Sequence, residues 1–246
     1  FEGNWKMNHG PSEARAFMRA FLERYAARRD RTVVLFPPAL ALAAVRDELE
    51  TAGRDDVLLG VQNVHSAPKG PFCGEISAPM ARDAGASWCL VGHSERRHVF
   101  GESDAETAEK VKIALASGLV PVLCVGEKLE ERERGETESV VLRQLEAGVS
   151  AVESAAVGGI VVAYEPVWAI GTGKTATPDD AAAVHRVIRR DLAARIGARA
   201  AEVPILYGGS VNRANAAALL GAENVDGLLV GGASLDPEEW AAICAT

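Results

Sequence analysis

The sequence predicts an α/β protein, a single-domain (β/α)8 barrel with eight parallel strands. Short apolar runs recur eight times along the 246 residues, and helical patterns separate most of them. Strands that alternate with helices indicate parallel β-α units, and at one unit per roughly 30 residues eight units fill a chain of this length. Polar residues follow many of the apolar runs, at the strand ends where barrel enzymes place their active sites.

The first strand, expected at residues 2–5, is short because Phe1 leads almost directly into the motif GNWKMN, so we expect a few amino-terminal residues to precede it. Seven further strands are expected at 32–36, 57–61, 88–91, 120–125, 159–163, 205–207 and 227–230. The helical patterns cover 12–27, 39–52, 104–117, 137–155, 178–196, 213–220 and 237–245. No stretch has the composition of an interdomain linker, so one catalytic domain is expected over 1–246.

A doubly wound open sheet is the alternative fold for alternating strands and helices. That fold typically carries a GxGxxG turn after its first strand, where the glycines approach a dinucleotide. The turn is absent here. The barrel is therefore the favoured architecture.

The bulk composition limits the classes of partner. The chain has 26 basic and 34 acidic residues, a net charge of −8, which argues against a nucleic acid or an anionic membrane as the main partner. An anionic metabolite would need a locally positive pocket. We see no signal sequence and no apolar run long enough to cross a bilayer, and the four cysteines lack metal-type spacing, so a cytoplasmic protein with reduced thiols and no metal is expected.

The segment at 164–177, YEPVWAIGTGKTAT, places Glu165 at the carboxyl end of the sixth expected strand. Pro166 and Val167 make a stiff entrance to a glycine-bearing loop, which is the composition of a lid that excludes water from a carboxylate. A glutamate at a strand end is more often a solvated or ion-paired group, so this position alone is weak evidence for catalysis.

The letters GTGKT within this segment are superficially those of a nucleotide-binding phosphate loop. That motif needs an earlier glycine at the position of Trp168, and its lysine leads directly into a helix. Here the next helix is expected later, with Thr177 as N-cap and Pro178 at its first position. ATP binding is therefore disfavoured.

His93 follows the fourth expected strand and, in a barrel, faces the same cavity as Glu165. A carboxylate base beside an imidazole donor suits proton abstraction next to a carbonyl. Lys6 and Asn4 at the mouth of the first strand would add positive charge and an amide that orients a substrate oxygen. The alternatives are a structural histidine and a surface lysine.

Two glycine pairs, at 208–209 and 231–232, follow the seventh and eighth expected strands. Each pair alone is typical of a turn. Together with Ser210 they match the place where barrel enzymes bind phosphate through backbone amides and a helix amino terminus.

The motifs GNWKMN, VGHSERR, YEPVWAIGTGKTATP, YGGSV and GLLVGGASL, taken in this order through the whole chain, resemble the triosephosphate isomerase family. The resemblance implies a TIM barrel that interconverts dihydroxyacetone phosphate and D-glyceraldehyde 3-phosphate in glycolysis and gluconeogenesis, without metal or organic cofactor. It makes Glu165 the base, His93 the electrophile and Lys6 the third catalytic residue. It assigns substrate binding to Asn4, Lys6, Gly171, Ser210, Gly231 and Gly232, and supporting positions to Ser94, Glu95, Cys124 and Glu127.

The segment GPFCGEIS at 70–77 resembles the family's loop that inserts into a neighbouring subunit, which implies a homodimer. Most members have threonine where Cys73 stands, so a thiol replaces a hydroxyl at the expected subunit contact.

Two functional alternatives stay open at this point. One is another TIM-barrel enzyme acting on phosphorylated sugars, such as an aldolase that forms a Schiff base on a lysine. The other is a non-catalytic phosphate-binding or scaffold protein on the same fold, since a fold does not fix a function.

Overall fold

The computed structural model describes residues 1–170 and 175–246. Its eight strands are parallel, and each pairs with the next until β8 pairs with β1 and closes the barrel. This confirms the (β/α)8 barrel of eight parallel strands. The strands are β1 Glu2–Asn4, β2 Val33–Phe36, β3 Val57–Val61, β4 Trp88–Val91, β5 Val120–Val125, β6 Val161–Tyr164, β7 Ile205–Tyr207 and β8 Gly227–Val230.

Helices connect the strands around the outside of the barrel. They are α1 Pro11–Arg24, α2 Leu42–Ala52, α3 Ala78–Asp83, α4 Ser94–His98, α5 Asp104–Ala116, α6 Leu129–Glu133, α7 Thr137–Val149, α8 Ser154–Val157, α9 Pro178–Ile196, α10 Ala216–Leu220 and α11 Pro237–Ala245. Short 3-10 segments lie at Ala39–Ala41, Val167–Ala169, Gly197–Glu202 and Gly232–Leu235. Among the described residues no helix is long and apolar enough to cross a membrane.

Several helix predictions differ from the structure in their bounds. The helix predicted at 137–155 is divided into α7 and α8, and the Ser150 hydroxyl donates to the Ala147 carbonyl at 2.7 Å where α7 ends. The helix predicted at 213–220 begins only at α10, because Asn212 first forms a turn in which its side-chain oxygen accepts the Asn215 N–H at 3.1 Å. Helices α3, α4 and α6 were not predicted, since five or six residues give too few apolar positions to show a helical period.

The start of α9 is as predicted. Thr177 caps the helix, its hydroxyl accepting the Asp180 N–H at 3.1 Å while the Asp180 carboxylate accepts the Thr177 N–H at 2.9 Å, and Pro178 follows. This capping box fixes where the chain after the 164–177 segment re-enters the barrel.

Alternating side chains along the strands build two apolar layers. On β2, Val34 and Phe36 pack inside the barrel, while Val33 and Leu35 pack outward against the helices. The Phe36 ring fills the interior beside Gly60, where a Cβ would lie 2.2 Å from the ring. Burial of each such side chain stabilises the folded protein by about 1.5–3 kcal/mol. Because these side chains fill the interior, the polar residues at the strand ends form the accessible surface there.

Glu2 is an exception to the apolar interior. It lies two positions before Asn4 on β1, so both side chains point to the same side of the strand, and its strand partners Val34 and Leu229 belong to the interior layer. The carboxyl is buried and its Oε2 has no hydrogen-bond partner within the described residues. Burial raises the pKa of Glu2 to about 8.

We expect Glu2→Gln to stabilise the protein increasingly as the pH rises. The folded state holds the Glu2 proton more tightly than the unfolded chain, so the wild type loses stability between pH 4.5 and about pH 8, whereas glutamine carries no such proton. From pH 5 to pH 8 the difference should grow by on the order of 3 kcal/mol, measured by thermal unfolding at both pH values. The control is Glu23→Gln, on an exposed side chain. An identical pH dependence in Glu2→Gln and wild type would contradict the expectation.

Candidate active site

One cavity of about 390 Å³ opens at the carboxyl ends of the strands. Its size suits a small ligand. The structure brings together in its lining every described residue that the sequence assigned to catalysis or substrate binding, namely Asn4, Lys6, His93, Glu165, Ser210, Gly231 and Gly232. Gly171 lies outside the described residues.

Glu165 directly follows β6, and its N–H donates to the Val125 carbonyl at 2.8 Å, which continues the pairing with β5. The residue is 2% exposed. One carboxylate oxygen, Oε1, lies 2.9 Å from His93 Nε2, and the other, Oε2, accepts the Ser94 N–H at 2.9 Å. Both oxygens are therefore held by groups that follow β4.

His93 caps the amino end of α4, where its Nδ1 accepts the Glu95 N–H at 3.3 Å. An Nδ1 that accepts carries no proton, so the ring hydrogen of a neutral imidazole lies on Nε2 and points to Glu165. Asn4 Nδ2 lies 3.3 Å from the same Nε2. The geometry thus presents one N–H donor to the cavity.

The two groups shift each other's pKa in opposite directions. Burial raises the pKa of Glu165, but the adjacent His93 and the Ser94 N–H outweigh it, so the pKa is lowered. Burial lowers the pKa of His93, but the Glu165 carboxylate outweighs it, so the pKa is raised. For both groups, the contact between the pair is the largest influence that opposes burial.

Lys6 is held by its neighbours at the mouth of β1. Its backbone has a φ of 51°, rare for a residue with a side chain, and its N–H donates to Asn4 Oδ1 at 2.9 Å. The Gln62 amide donates to the Lys6 carbonyl at 2.8 Å, and Lys6 Nζ pairs with Glu95 at 3.0 Å. A protein of net charge −8 thereby presents a fixed positive group to the cavity.

Residues that follow β7 and β8 also line the cavity. Gly231 and Gly232 lie where β8 leads into the 3-10 segment Gly232–Leu235, and Ser210 follows β7. Ser234 is buried and donates its hydroxyl to the Gly231 carbonyl at 2.7 Å, while its own carbonyl accepts Trp5 Nε1–H at 3.0 Å. These contacts fix a helical amino end at the cavity, a setting that favours an anion.

Glu127 anchors the entrance of the segment that follows Glu165. It is fully buried, and it accepts the Tyr164 hydroxyl at 3.2 Å and the Trp168 indole N–H at 2.9 Å. Arg132 contacts Glu127 at 3.4 Å, covers the Trp168 ring at 4.4 Å and pairs with Asp180 of α9 at 2.6 Å. The beginning of the 164–177 segment and the helix α9 that follows it therefore contact the same cluster, formed by Glu127 and Arg132.

Cys124 lies inside the barrel below the cavity, and burial raises the pKa of its thiol well above the usual range. Its carbonyl accepts an N–H of Arg97 at 3.2 Å, and the same guanidinium donates to the Gly92 carbonyl at 2.7 Å. Cys124 therefore helps to pack the ends of β4 and β5, and its buried thiol is unreactive.

Two glycines make room for Glu165: Gly126, which the sequence did not single out, and Gly208, which it assigned to a phosphate-binding turn. A Cβ on Gly126 would lie 1.7 Å from the Glu165 carbonyl oxygen, and one on Gly208 would lie 3.0 Å from Glu165 Cγ. Glu239 of α11 also lines the cavity without having been predicted. The only signal for Gly126 was its place directly after β5, where a close approach of two backbones requires glycine.

Across residues 1–170 and 175–246, no group of three or more His, Cys, Asp or Glu side chains is arranged to hold a metal ion.

We expect Gly126→Ala to displace Glu165 and to lower kcat/KM by a factor on the order of 10² or more, because the added methyl group collides with backbone rather than with a movable side chain. Steady-state kinetics and thermal unfolding measure the two effects. The matched control is Gly10→Ala at an exposed position, where a Cβ would meet nothing closer than 3.9 Å. Wild-type kinetics in Gly126→Ala would show that the close approach is unimportant.

The closed barrel, with a buried carboxylate and imidazole in a cavity at its strand ends, defines a (β/α)8-barrel enzyme equipped for acid-base chemistry on a small substrate. A family model described as triosephosphate isomerase matches residues 1–246. The triosephosphate isomerase of Marinobacter nauticus is 49% identical over 243 residues, which cover 98% of this chain and 94% of that protein. Those of Thermus thermophilus and Thiobacillus denitrificans are 48% and 50% identical over 242 residues, each covering 98% of this chain and 95% of the relative.

Among solved structures, triosephosphate isomerase from Bartonella henselae superimposes with a TM-score of 0.87 at 40% identity, covering 99% of this chain and 96% of that one. The chain belongs to the triosephosphate isomerase family.

Proposed function

We propose that Glu165 and His93 carry out the reaction of this family, the interconversion of dihydroxyacetone phosphate and D-glyceraldehyde 3-phosphate, with Lys6 as the third catalytic residue. The reaction itself follows from membership of the family. The residue roles rest chiefly on one observation, the buried carboxylate and the imidazole N–H donor 2.9 Å apart in the cavity.

In the proposed first step the Glu165 carboxylate takes a proton from C1 of dihydroxyacetone phosphate, and the electron pair moves to the C2 carbonyl oxygen. His93 Nε2–H and Lys6 stabilise the charge that develops on that oxygen, and Asn4 orients it. Proton transfer between the two oxygens and return of the carbon proton by Glu165 to C2 complete the aldehyde. Every proton removed is returned, so the product is an isomer.

The pKa shifts support a role for Glu165 as a base whose strength changes when its side chain moves. While Glu165 contacts His93 and Ser94, its pKa is lowered and it is a weak base. Movement toward substrate removes those contacts and leaves burial, which raises the pKa and makes a better base. The same movement removes what raises the pKa of His93, leaving burial and the Glu95 N–H at Nδ1 to favour the neutral imidazole, which is the known electrophile of triosephosphate isomerase.

We place the substrate phosphate at Ser210, Gly231 and Gly232, with Gly171 as a further contact from the 164–177 segment. The amino end of the 3-10 segment beside Gly231 supports this placement. Closure of that segment over the site would exclude water from an intermediate able to expel its phosphate. Ser94, Glu95, Cys124 and Glu127 act in this proposal by positioning Glu165, Lys6, the strand ends and the lid entrance.

Glu165→Asp should lower kcat by a factor on the order of 10² or more with much less effect on KM, because the base retreats from the carbon by one methylene while its charge stays. A coupled assay of glyceraldehyde 3-phosphate turnover measures both constants. Glu109→Asp, on an exposed side chain, is the control. An unchanged kcat in Glu165→Asp would refute the assignment of the base.

A homodimer formed through the loop around Cys73 is the second part of the proposal. Cys73 is exposed, and the neighbouring Phe72 ring stacks on His65 at 3.9 Å. The exposed side chains of Met7, Val99 and Phe100 line a second pocket, which shares Asn4, Lys6 and His93 with the cavity. Exposed apolar groups that cluster as these three do are typical of an interface.

Sedimentation at micromolar concentration should give twice the mass of the chain. Phe72→Asp should yield monomers, because a charge would be buried against the partner. Glu75→Asp, which keeps the charge of the same loop, serves as control. A monomeric wild-type mass would remove the proposed dimer.

We also propose that the protein is cytoplasmic and that residues 1–246 form one catalytic domain. A role in glycolysis, which follows from the family, supports a cytoplasmic enzyme, and a single catalytic domain over 1–246 agrees with the single barrel. Catalysis without a cofactor stays a prediction. A Schiff-base aldolase is less well supported, because Lys6 is ion-paired with Glu95 and the chain belongs to a family of isomerases.

A further inference from the structure

Glu239 is an acidic side chain in the lining of the cavity. It lies in the first turn of α11 and lines the same cavity as Ser210, Gly231 and Gly232. Its Oε1 accepts the Arg213 N–H at 3.4 Å, and its own N–H donates to Asp236 Oδ1 at 2.8 Å. These contacts hold the carboxylate between the loop that follows β7 and the helix that follows β8.

Glu239 differs from Glu165, the other acid in the cavity lining, in whether its carboxylate has a charged partner. Glu165 is paired with His93, and the cavity's lysine is paired with Glu95. Within the described residues Glu239 has no ion pair, so its negative charge acts on whatever occupies the cavity. A phosphoryl group bound at Ser210, Gly231 and Gly232 would carry nearly two negative charges at neutral pH.

We propose that Glu239 is a specificity-determining residue that weakens the hold of this site on doubly charged phosphoryl groups. The inference rests on the placement of phosphate proposed above. Backbone N–H groups and the amino end of the 3-10 segment attract the dianion, and the Glu239 carboxylate opposes them. The enzyme thereby binds substrate less tightly than its backbone donors alone would allow, which favours release of a product that carries the same phosphate.

The size of the effect of Glu239 on phosphate binding can be estimated from Coulomb's law. A single charge facing a dianion across about 8 Å changes binding by about fivefold even at the dielectric constant of bulk water, about 80. The repulsion scales with ligand charge, so a triose without phosphate should not sense it.

The test uses Glu239→Gln, which removes the charge and keeps an oxygen for the Arg213 N–H. The matched control is Glu238→Gln, the neighbouring acid in the same helical turn, which is exposed and lies outside the cavity lining. The measurements are KM for glyceraldehyde 3-phosphate, the inhibition constant of inorganic phosphate, and kcat/KM for glyceraldehyde, which lacks phosphate, all at low ionic strength.

We expect KM and the phosphate inhibition constant to fall about fivefold in Glu239→Gln, and the difference to shrink at high salt because the site is open to solvent. Glu238→Gln should match wild type, and kcat/KM for glyceraldehyde should be the same in all three proteins. Unchanged or higher constants in Glu239→Gln, or an equal change with glyceraldehyde, would overturn the inference. If inorganic phosphate does not compete with substrate in the wild type, the phosphate placement itself fails, whereas competition without an effect of Glu239→Gln removes only the role of Glu239.

Discussion

The contact between Glu165 and His93 is the interaction on which the site depends. It joins a residue that follows β6 to one that follows β4, across the carboxyl end of the barrel, and it sets the direction of both pKa shifts. The contact exists only because the strand register brings the Glu165 N–H to the Val125 carbonyl and because Gly126 lets the two backbones approach. The geometry of this pair is therefore set by backbone packing as well as by the side chains themselves.

The cavity presents local positive charge, although the protein as a whole is negatively charged. With a net charge of −8, an anionic substrate gains little from the average field. In the proposed function the attraction comes from Lys6, whose position is fixed by Asn4, Gln62 and Glu95, and from backbone groups after β8. Positive groups placed by hydrogen bonds at one end of the barrel can thus serve a protein that is acidic elsewhere.

Much of the fold and of the site could be predicted from the sequence, because both depend on short-range patterns. Apolar runs located all eight strands, and residues after those runs gave Glu165, His93 and Lys6 as neighbours in one cavity. The requirement for glycine at 126 and the presence of Glu239 were not predictable in this way. Each depends on a distance between segments remote in sequence, and no local pattern records such a distance. Helices such as α4 were missed because five residues cannot display a period.

The seam between β1 and β8 has a consequence for how the protein comes to be active. It pairs Glu2 with Leu229, so it joins the two ends of the chain, and loop closure over that separation makes it a costly contact to form early. Glu165 and His93 are both present on a growing chain long before Gly231 and Gly232 are made. A nascent or interrupted chain lacks the residues after β8, so the cavity that they line together with Glu165 and His93 is complete only once the ring of strands has closed.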